Sequence, residues 1–257
     1  MRTILEQYWN EVTARLGRLP VWLPGTPMKL GDVGRLGDRG WEKATDLRSM
    51  GIGFSSEAGG SRTAYTYSSA DGVEITARLA AQASPELTGI VNGNAALGIK
   101  FSRPAASVLM ADAVEVQRIA NLESVDRAVL EAYRQKSWKR EWAFISEVAT
   151  GRPVLSVVAA TAQGEATVDL GAEVQPAGTL LGRAQASLRF GFRKDLAASF
   201  ATNEESAVMW RGHRVHDPLF RNARLVERGP APGEGPSGDH VWVGEVEYLS
   251  DALPDDA

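Results

Sequence analysis

The chain has 257 residues, of which 44% are hydrophobic, so it is long and apolar enough to bury a proper core. It contains no cysteine and three histidines. Disulfides, thiolate chemistry and cysteine-ligated metals are therefore excluded, and a multi-histidine metal centre is disfavoured. The formal net charge of −4 argues against a general nucleic-acid binder. No apolar run approaches the roughly 20 residues of a membrane-spanning helix, and the N-terminus does not match a signal peptide, so we expect a cytoplasmic protein.

The negative charge is concentrated near the C-terminus. Residues 229–257 contain seven acidic side chains and no lysine or arginine. Without those seven charges, the formal net charge of −4 becomes +3 for residues 1–228. Two interpretations fit this asymmetry: a solvated acidic terminus, or an acidic segment that masks a basic surface.

The first predicted element is an amphipathic helix. Apolar residues recur every four positions from Ile4 to Leu16, and Gly17 and Pro20 end the pattern. Glycine and proline interrupt residues 20–60, which predicts short strands and turns there.

Apolar and polar residues then alternate over 73–81. The alternation predicts a strand with one apolar face, formed by Val73, Ile75, Ala77 and Leu79. The preceding Asp71-Gly72 pair is typical of a β-hairpin turn.

Most of the later elements are also strands. The spacing over 116–136 predicts a pair of helices, with Asn121 or Ser124 as the N-cap of the second. In ASLRFGFRK, we expect Leu188, Phe190 and Phe192 to share one face. Strands are predicted at 96–101, 106–110, 142–150, 152–160, 165–173, 184–192, 195–201, 206–217 and 240–249. The order predicts an α+β fold, with the N-terminal helix and the central helical pair packed on a twisted, mostly antiparallel sheet.

The tightest polar cluster is His213, His216 and Asp217. Residues three apart on a strand point to opposite faces, so partly exposed histidines are favoured over a metal site. With Glu147, this cluster is the one polar set that an enzyme of an unrecognised α+β family would use.

A basic and aromatic patch follows the predicted helices. It contains Trp138 and Trp142 beside Lys136, Lys139 and Arg140. Three interpretations remain open: a nucleic-acid stacking patch, a membrane-interface patch, or a partly buried aromatic with solvated neighbours.

Two long stretches are poor in charge. Between Leu79 and Ile99 the one charged residue is Glu86, and between Pro153 and Gly182 there are three, namely Glu165, Asp169 and Glu173. Sheet edges in water are usually protected by lysine. Alternating strands without charge on one face are instead typical of transmembrane β-hairpins.

The order of these pieces resembles the pore-forming domain of the gasdermins. The similarity covers residues 1–226 and lies in pattern and order: an amphipathic first helix, then YTYSSADGVEITARLAA, AALGIKFSRPAASVLMADAVEVQRI, WAFISEVATGRPVLSVV and SAVMWRGHRVHDPLF. These stretches look like the family's aromatic strand with its DG turn, the strand leading to the helical pair, the strand ending in an acid–Val pair, and the closing strand.

No large C-terminal inhibitory domain follows, so the resemblance is to the short bacterial type. There, a brief C-terminal peptide restrains the pore-forming domain until a protease removes it. The resemblance implies a pore-forming domain at 1–228, a Pro/Gly linker at 229–239 and an autoinhibitory peptide at 240–257. The candidate cleavage residues are Pro232, Gly233, Gly235 and Pro236, and the candidate autoinhibitory contacts are Trp242, Tyr248 and Leu249.

The resemblance also implies partners and a location. We expect an activating protease, anionic membrane lipid and, in the active state, further copies of the chain; no nucleic acid, cofactor, metal or catalytic residue is implied. The inactive monomer is expected in the cytoplasm and the active oligomer as a β-barrel pore in the inner (plasma) membrane, in a bacterial cell-death or antiphage defence role. Candidate lipid contacts are Arg2, Tyr8, Trp9, Trp138, Lys139, Arg140, Arg189 and Arg193.

One departure from the family pattern matters. Short bacterial gasdermins often carry an acylated cysteine near the N-terminus, and this chain has no cysteine. Insertion here would have to proceed without a lipid anchor. Besides the unrecognised enzyme, the rival hypothesis is a soluble binding or scaffold protein that buries the charge-poor stretches in its core.

Overall fold

The computed structural model describes residues 3–37, 40–78, 96–170, 188–216 and 224–228. Within them the chain forms two α-helices, α1 (Ile4–Leu16) and α2 (Leu122–Arg134), and fourteen strands. The strands are β1 (Leu19–Pro20), β2 (Asp32–Gly37), β3 (Gly40–Asp46), β4 (Ser56–Ser68), β5 (Val73–Arg78), β6 (Ala96–Phe101), β7 (Ser107–Ile119), β8 (Ala143–Gly151), β9 (Val154–Ala159), β10 (Glu165–Asp169), β11 (Arg189–Lys194), β12 (Leu196–Thr202), β13 (Ser206–His216) and β14 (Arg224–Arg228).

The strands form two sheets. A ten-stranded sheet has the order β1-β13-β8-β7-β9-β12, with β14 beside β13, β2 beside β8, β3 beside β2 and β4 beside β7. A four-stranded sheet has the order β11-β10-β6-β5, and its pairings are antiparallel. The predicted α+β class with an antiparallel sheet is confirmed.

The chain divides into two compact units. Unit 1 draws its described residues from Met1–Tyr8, Ser61–Glu115 and Thr150–Val208. Unit 2 draws its described residues from Trp9–Gly60, Val116–Ala149 and Met209–Ala257.

Helix α1 has a defined start and a defined end. At its start, the Thr3 backbone N–H donates to Glu6 Oε2 (2.7 Å) and the Glu6 N–H donates to Thr3 Oγ1 (3.2 Å). This reciprocal pair is a capping box. At its end, Gly17 has a φ of +66° and its N–H donates to the Thr13 carbonyl (2.8 Å), as helix-terminating glycines do. The predicted helix and its stop at Gly17 are confirmed.

Unit 1 has an apolar core between two layers of strands. One layer comes from the four-stranded sheet and the other from β7 and β9. Since alternate residues of each strand point to opposite faces, each strand contributes every second side chain to this core. The fully buried members include Leu97, Ile99, Val168, Val108, Leu155 and Val157.

Unit 2 has a separate core under helix α2. Val125 and Val129, one helical turn apart, are the buried residues of α2. They cluster with Trp138, Phe144 and Val215, among others. The apolar residues that recur every four positions on the helix therefore pack against strand residues, as the sequence pattern indicates.

The helical pair predicted over 116–136 is wrong in its first half. Strand β7 continues to Ile119, and a single helix begins at Leu122. The β-branched Val114 and Val116 suit a strand, and β7 has β4 as a hydrogen-bonding partner that lies far away in sequence. Asn121 occupies the N-cap position but makes no side-chain cap; its Oδ1 accepts from the N–H and Oγ of Ser55 (2.8 and 3.1 Å) instead.

The Asp71-Gly72 turn is present, but it does not form the predicted hairpin. Gly72 has a φ of +91°, which favours glycine. Strand β4 belongs to the ten-stranded sheet and β5 to the four-stranded sheet, so the turn connects two sheets. A turn motif specifies a local reversal of the chain but does not determine the partner of the next strand.

The expectation that Phe192 shares a face with Leu188 and Phe190 is also wrong. The register between β10 and β11 shifts so that Thr167 lies opposite Phe192 while Val168 lies opposite Phe190. The intervening Gly191 is thus the extra residue of a β-bulge, which reverses the alternation. Phe190 packs against the unit 1 core, whereas Phe192 is 48% exposed.

Candidate functional site

The four-stranded sheet consists of two antiparallel strand pairs placed side by side. Strand β5 pairs with β6, and β10 pairs with β11. Residues 79–95 connect the first pair and residues 171–187 lie between the strands of the second. The first segment lies within the charge-poor stretch that begins after Leu79, and the second covers the end of the other stretch and continues past Gly182 to Ser187. The conformation of both segments lies outside the described residues.

The register aligns one end of all four strands along one end of the sheet. Arg78 is the backbone partner of Ala96, Ala96 is the partner of Asp169, and Asp169 is the partner of Arg189. Both charge-poor segments are therefore attached at the same end of the sheet, on neighbouring strand pairs. The sequence could not show this, because nothing in it specifies that β6 pairs with β10.

Hydrogen bonds close the opposite end of the sheet, where the turns beside Gly72 and Gly164 lie. The N–H of Ser102 donates to the Gly72 carbonyl (2.9 Å), and the N–H of Phe101 donates to the Gly164 carbonyl (2.8 Å). Arg103 Nε donates to the carbonyl of Asp71 (2.9 Å). These bonds hold the turns at this end of the sheet against the strands. They are the described contacts that fix an end of the sheet, because the segments at the other end lie outside the described residues.

The sheet has an inner face that packs in the unit 1 core and an outer face. Val73 and Ile75 on β5 pack against the core, and Glu74 and Thr76 are exposed. The predicted register of this strand is confirmed for those residues; the side chains of Ala77 and Leu79 lie outside the described residues. The other inner-face residues are Leu97, Ile99 and Phe101 on β6, Ala166 and Val168 on β10, and Phe190 on β11.

The alternation of inner-face and outer-face residues continues in the sequence of both segments. We call the positions that continue the inner-face series the inner parity and the others the outer parity. Every inner-parity position from Leu79 to Ala83 after β5, and from Leu87 to Ala95 before β6, is apolar or glycine. In 171–187 the inner parity reads Ala172, Val174, Pro176, Gly178, Leu180, Gly182, Ala184 and Ala186. Every charged residue of the two segments, namely Glu86, Glu173 and Arg183, falls on the outer parity.

The predicted aromatic and basic patch follows helix α2. Trp138 is 3% exposed, and its ring packs edge-on against Trp142 (5.9 Å) and Phe144 (6.2 Å). Lys139 and Arg140 are exposed, and Lys139 Nζ lies 5.1 Å from the Trp142 ring. In the described fold, Trp138 is therefore a buried aromatic with exposed basic neighbours.

The other candidate lipid contacts differ in exposure. Tyr8 and Trp9 are buried in the described fold, with 1% and 2% of their surface exposed. Burial raises the pKa of the Tyr8 phenol well above its ordinary value, since the charged form would lose its hydration. Arg189 and Arg193 on the edge strand β11 are exposed, and Arg2 lies outside the described residues.

Glu147 is an inward-facing carboxylate on β8, although the sequence equally allowed a solvated one. It is 8% exposed, and Arg18 Nε donates to its Oε1 (2.5 Å). Arg211 Nε lies 4.0 Å from the same oxygen and donates to the Gly17 carbonyl (3.0 Å). The two arginines neutralise the buried charge and connect the end of α1 to β8 and β13 within unit 2.

The remaining polar candidates do not converge. His213 is buried, with Nδ1 3.4 Å from Asp126 Oδ1 of α2, although the geometry is not that of a hydrogen bond. His216 lies three residues along β13 and so belongs to the opposite face, while Asp217 lies outside the described residues. Among the residues that the structure describes, no group of three or more His, Asp or Glu could hold a metal ion.

The linker and tail candidates cannot be placed. The candidate cleavage residues and the autoinhibitory contacts Trp242, Tyr248 and Leu249 all lie outside the described residues. In the described part of the chain, no helix is long and apolar enough to cross a membrane.

Comparison with known proteins gives no assignment. No protein-family model matches this chain, and no curated protein matches it.

Proposed function

We propose that this protein is an autoinhibited pore-forming protein whose two charge-poor segments extend the four-stranded sheet into a membrane. The observation that carries the proposal is the alternation of apolar residues. The series of inner-face residues in each strand continues in the sequence of two segments, and both segments are attached at one end of one sheet. Extending the strands would present one apolar and one polar face, as a membrane-spanning β-structure requires.

The lengths support this proposal. A tilted strand needs about 9 to 11 residues to cross a bilayer. Strand β5 has 6 residues, and half of 79–95 added to it exceeds that length. The same holds for β11 and half of 171–187. Each strand pair could therefore supply one complete transmembrane hairpin.

Insertion requires several copies of the chain. An open sheet edge in hydrocarbon leaves backbone groups unpaired, at several kcal/mol for each group. Strands β5 and β11 are the two edges of the four-stranded sheet. A closed ring of copies pairs every edge, which makes a homo-oligomer the expected active form.

The C-terminal residues are the proposed restraint. Residues 229–257 carry seven acidic side chains, and residues 1–228 have a formal charge of +3 without them. Removal of the tail would leave a positive body, which anionic lipid attracts by about 1 kcal/mol per basic residue near the surface. Trp242, Tyr248 and Leu249 are the anchoring side chains in this proposal, each worth about 1–3 kcal/mol if buried.

The first experiment separates the tail from the body. A protease site engineered at Gly235 is cut, and dye release from anionic liposomes is recorded before and after cleavage. We expect release only after cleavage, and partial release from uncut Trp242→Ala. The parent protein without the site, treated with the same protease, is the control. A cut protein that stays monomeric and inert on liposomes of several compositions would refute the proposal.

A matched pair of variants then tests the parity argument. Val174→Lys places a charge on the inner parity, and Gln175→Lys places the same charge one residue away on the outer parity. A lysine facing lipid costs about 2–4 kcal/mol at the bilayer midplane. We expect the first variant to lose dye release after cleavage and the second to keep it. Equal release from both would contradict the proposed strand orientation.

The rival proposal is a soluble binding or scaffold protein. Burial of the inner face in the unit 1 core favours it, since that burial alone explains the apolar strands. It gives no role to the continued parity in 79–95 and 171–187. Inert cut protein in the liposome assay would make it the better hypothesis.

A further inference from the structure

The outer face of the four-stranded sheet carries a row of alternating charges. Glu74 is the backbone partner of Lys100, Lys100 is the partner of Glu165, and Glu165 is the partner of Lys194. We call these four residues the charge row. It crosses all four strands in the order acid, base, acid, base, along one line perpendicular to them.

The charge row faces away from the apolar core. Glu74, Lys100 and Lys194 are exposed, and Glu165 is half-buried. Directly opposite residues on neighbouring strands have Cβ atoms about 4.5–5.5 Å apart, so each charge has an opposite charge as its nearest cross-strand neighbour. The row is thus neutral as a whole while remaining strongly charged at each position.

The two ends of the charge row have opposite signs. Glu74 lies on the edge strand β5, and Lys194 lies on the other edge strand, β11. These strands run in opposite directions, because each step from β5 through β6 and β10 to β11 is antiparallel. If copies join head to tail at these edges in the register that keeps the row in line, Glu74 of one copy lies opposite Lys194 of the next, and the alternation continues around the ring.

We propose, on the basis of the pore function proposed above, that the charge row lines the lumen and sets the ion selectivity of the pore. The inner face turns to lipid, so the outer face turns to water and forms the wall of the conduction path. Rings of one charge sign make pores selective for the opposite ion. A ring that alternates in sign over steps shorter than the screening length of about 8 Å presents little net potential to a passing ion. The unmodified pore therefore conducts cations and anions almost equally.

Charge-reversal variants test the role of the row. Protein cut at the engineered linker site is incorporated into planar bilayers, and the reversal potential is measured across a KCl gradient. We expect a reversal potential near zero for the parent. Lys100→Glu with Lys194→Glu makes the row entirely acidic, and we expect a shift toward the potassium equilibrium potential. Glu74→Lys with Glu165→Lys makes it entirely basic, and we expect a shift of opposite sign.

A matched control separates the row from total charge. Arg127→Glu with Arg134→Glu lowers the net charge by the same amount as the acidic double variant, on exposed positions of helix α2. We expect this variant to keep the reversal potential of the parent. Conducting pores whose reversal potential is the same for all four proteins would overturn the inference and leave the pore function standing. An absence of conductance from the cut parent would refute the pore function itself.

Single-residue labelling covers the case in which the double variants fail to fold. The chain contains no cysteine, so Lys100→Cys introduces a unique thiol. An anionic methanethiosulfonate reagent added to open pores should change the current through Lys100→Cys. It should leave Ser124→Cys, an exposed position on α2, unaffected. No change at Lys100→Cys would overturn the placement of the row in the lumen.

Discussion

Unit 1 and unit 2 terminate their strands differently. In unit 2, strand ends are closed by short polar contacts: Asp46, the last residue of β3, accepts from the N–H and Oγ of Ser49 (2.9 and 2.7 Å), and Asn121 accepts from Ser55 just before β4. In unit 1, backbone hydrogen bonds to the Gly72 and Gly164 carbonyls close one end of the four-stranded sheet. Past the other end, the alternation of apolar residues continues in the sequence of residues 79–95 and 171–187, two segments of equal length.

The two units differ in what determines where their strands end. Apolar strand residues contribute to both cores, and Val125 and Val129 of helix α2 add to the core of unit 2, so the presence of an apolar core does not distinguish the units. In unit 2, side chain–backbone hydrogen bonds define where a strand stops. In the four-stranded sheet, the pattern that makes a strand does not stop where the described strand does. In the proposed function, unit 2 is the scaffold and the four-stranded sheet is the part that changes on activation.

The largest expected effect comes from a charge on the inner face. Ile75→Asp places a carboxylate at a half-buried position against apolar residues that offer it no partner, and we expect a loss of about 2–4 kcal/mol in the free energy of unfolding. Urea denaturation measures it. The control is Thr76→Asp, one residue along on the exposed face, which should stay within about 0.5 kcal/mol of the parent. Equal losses from the two variants would mean that the assigned face of β5 is wrong.

A smaller effect is expected in unit 2 from Glu147→Gln. The amide cannot neutralise Arg18 and Arg211, which are partly buried beside it, and we expect a loss of about 1–3 kcal/mol. Denaturation with urea measures this as well. The matched control is Glu42→Gln, which removes the exposed ion pair with Arg35 and should cost less than about 1 kcal/mol. If the Glu147 variant is as stable as the parent, the cluster does not stabilise unit 2.

The smallest effect at neutral pH is expected from Tyr8→Phe, and it grows under alkaline conditions. Burial raises the pKa of Tyr8 above the ordinary tyrosine value. Above about pH 10, the unfolded phenol loses its proton while the folded one keeps it, so the stability of the parent falls by up to about 1.4 kcal/mol per pH unit from this group. The variant lacks this contribution.

Thermal unfolding from pH 7 to 11 tests this expectation. The parent and Tyr8→Phe should show the same pH dependence near pH 7, which serves as the internal control. They should diverge above about pH 10, with the parent losing stability more steeply. Parallel curves over the whole range would indicate that the phenol ionises as readily in the folded protein as in the unfolded chain.

The elements whose pattern is local were predictable from the sequence. Helix α1 and its stop at Gly17, strand β6 and the inner-face register of β5 were expected and are confirmed. The capping box of Thr3 and Glu6 was not predicted, although its spacing is visible in the sequence. Such features need only neighbouring residues, because hydrogen bonding and side-chain alternation within one segment determine them.

The errors all involve a distant partner. Residues 116–119 belong to a strand because β4 pairs with β7, and Phe192 is exposed because the pairing of β11 with β10 includes a bulge. Glu147 was left open between solvated and buried, since its partner Arg18 is far away in the sequence. Pairing across such distances leaves no local signal.

By itself, the sequence determined the class of fold, the alternation of the strands, the absence of thiol chemistry and the uneven charge of the chain. Each follows from composition or from the period of side chains along one segment. The tertiary structure alone decided that β6 pairs with β10. That pairing brings the two charge-poor segments to one end of the four-stranded sheet and aligns the charge row across its four strands. The physical reason is that strand pairing depends on backbone hydrogen bonds and shared burial between segments, and every strand offers the same backbone groups to any partner.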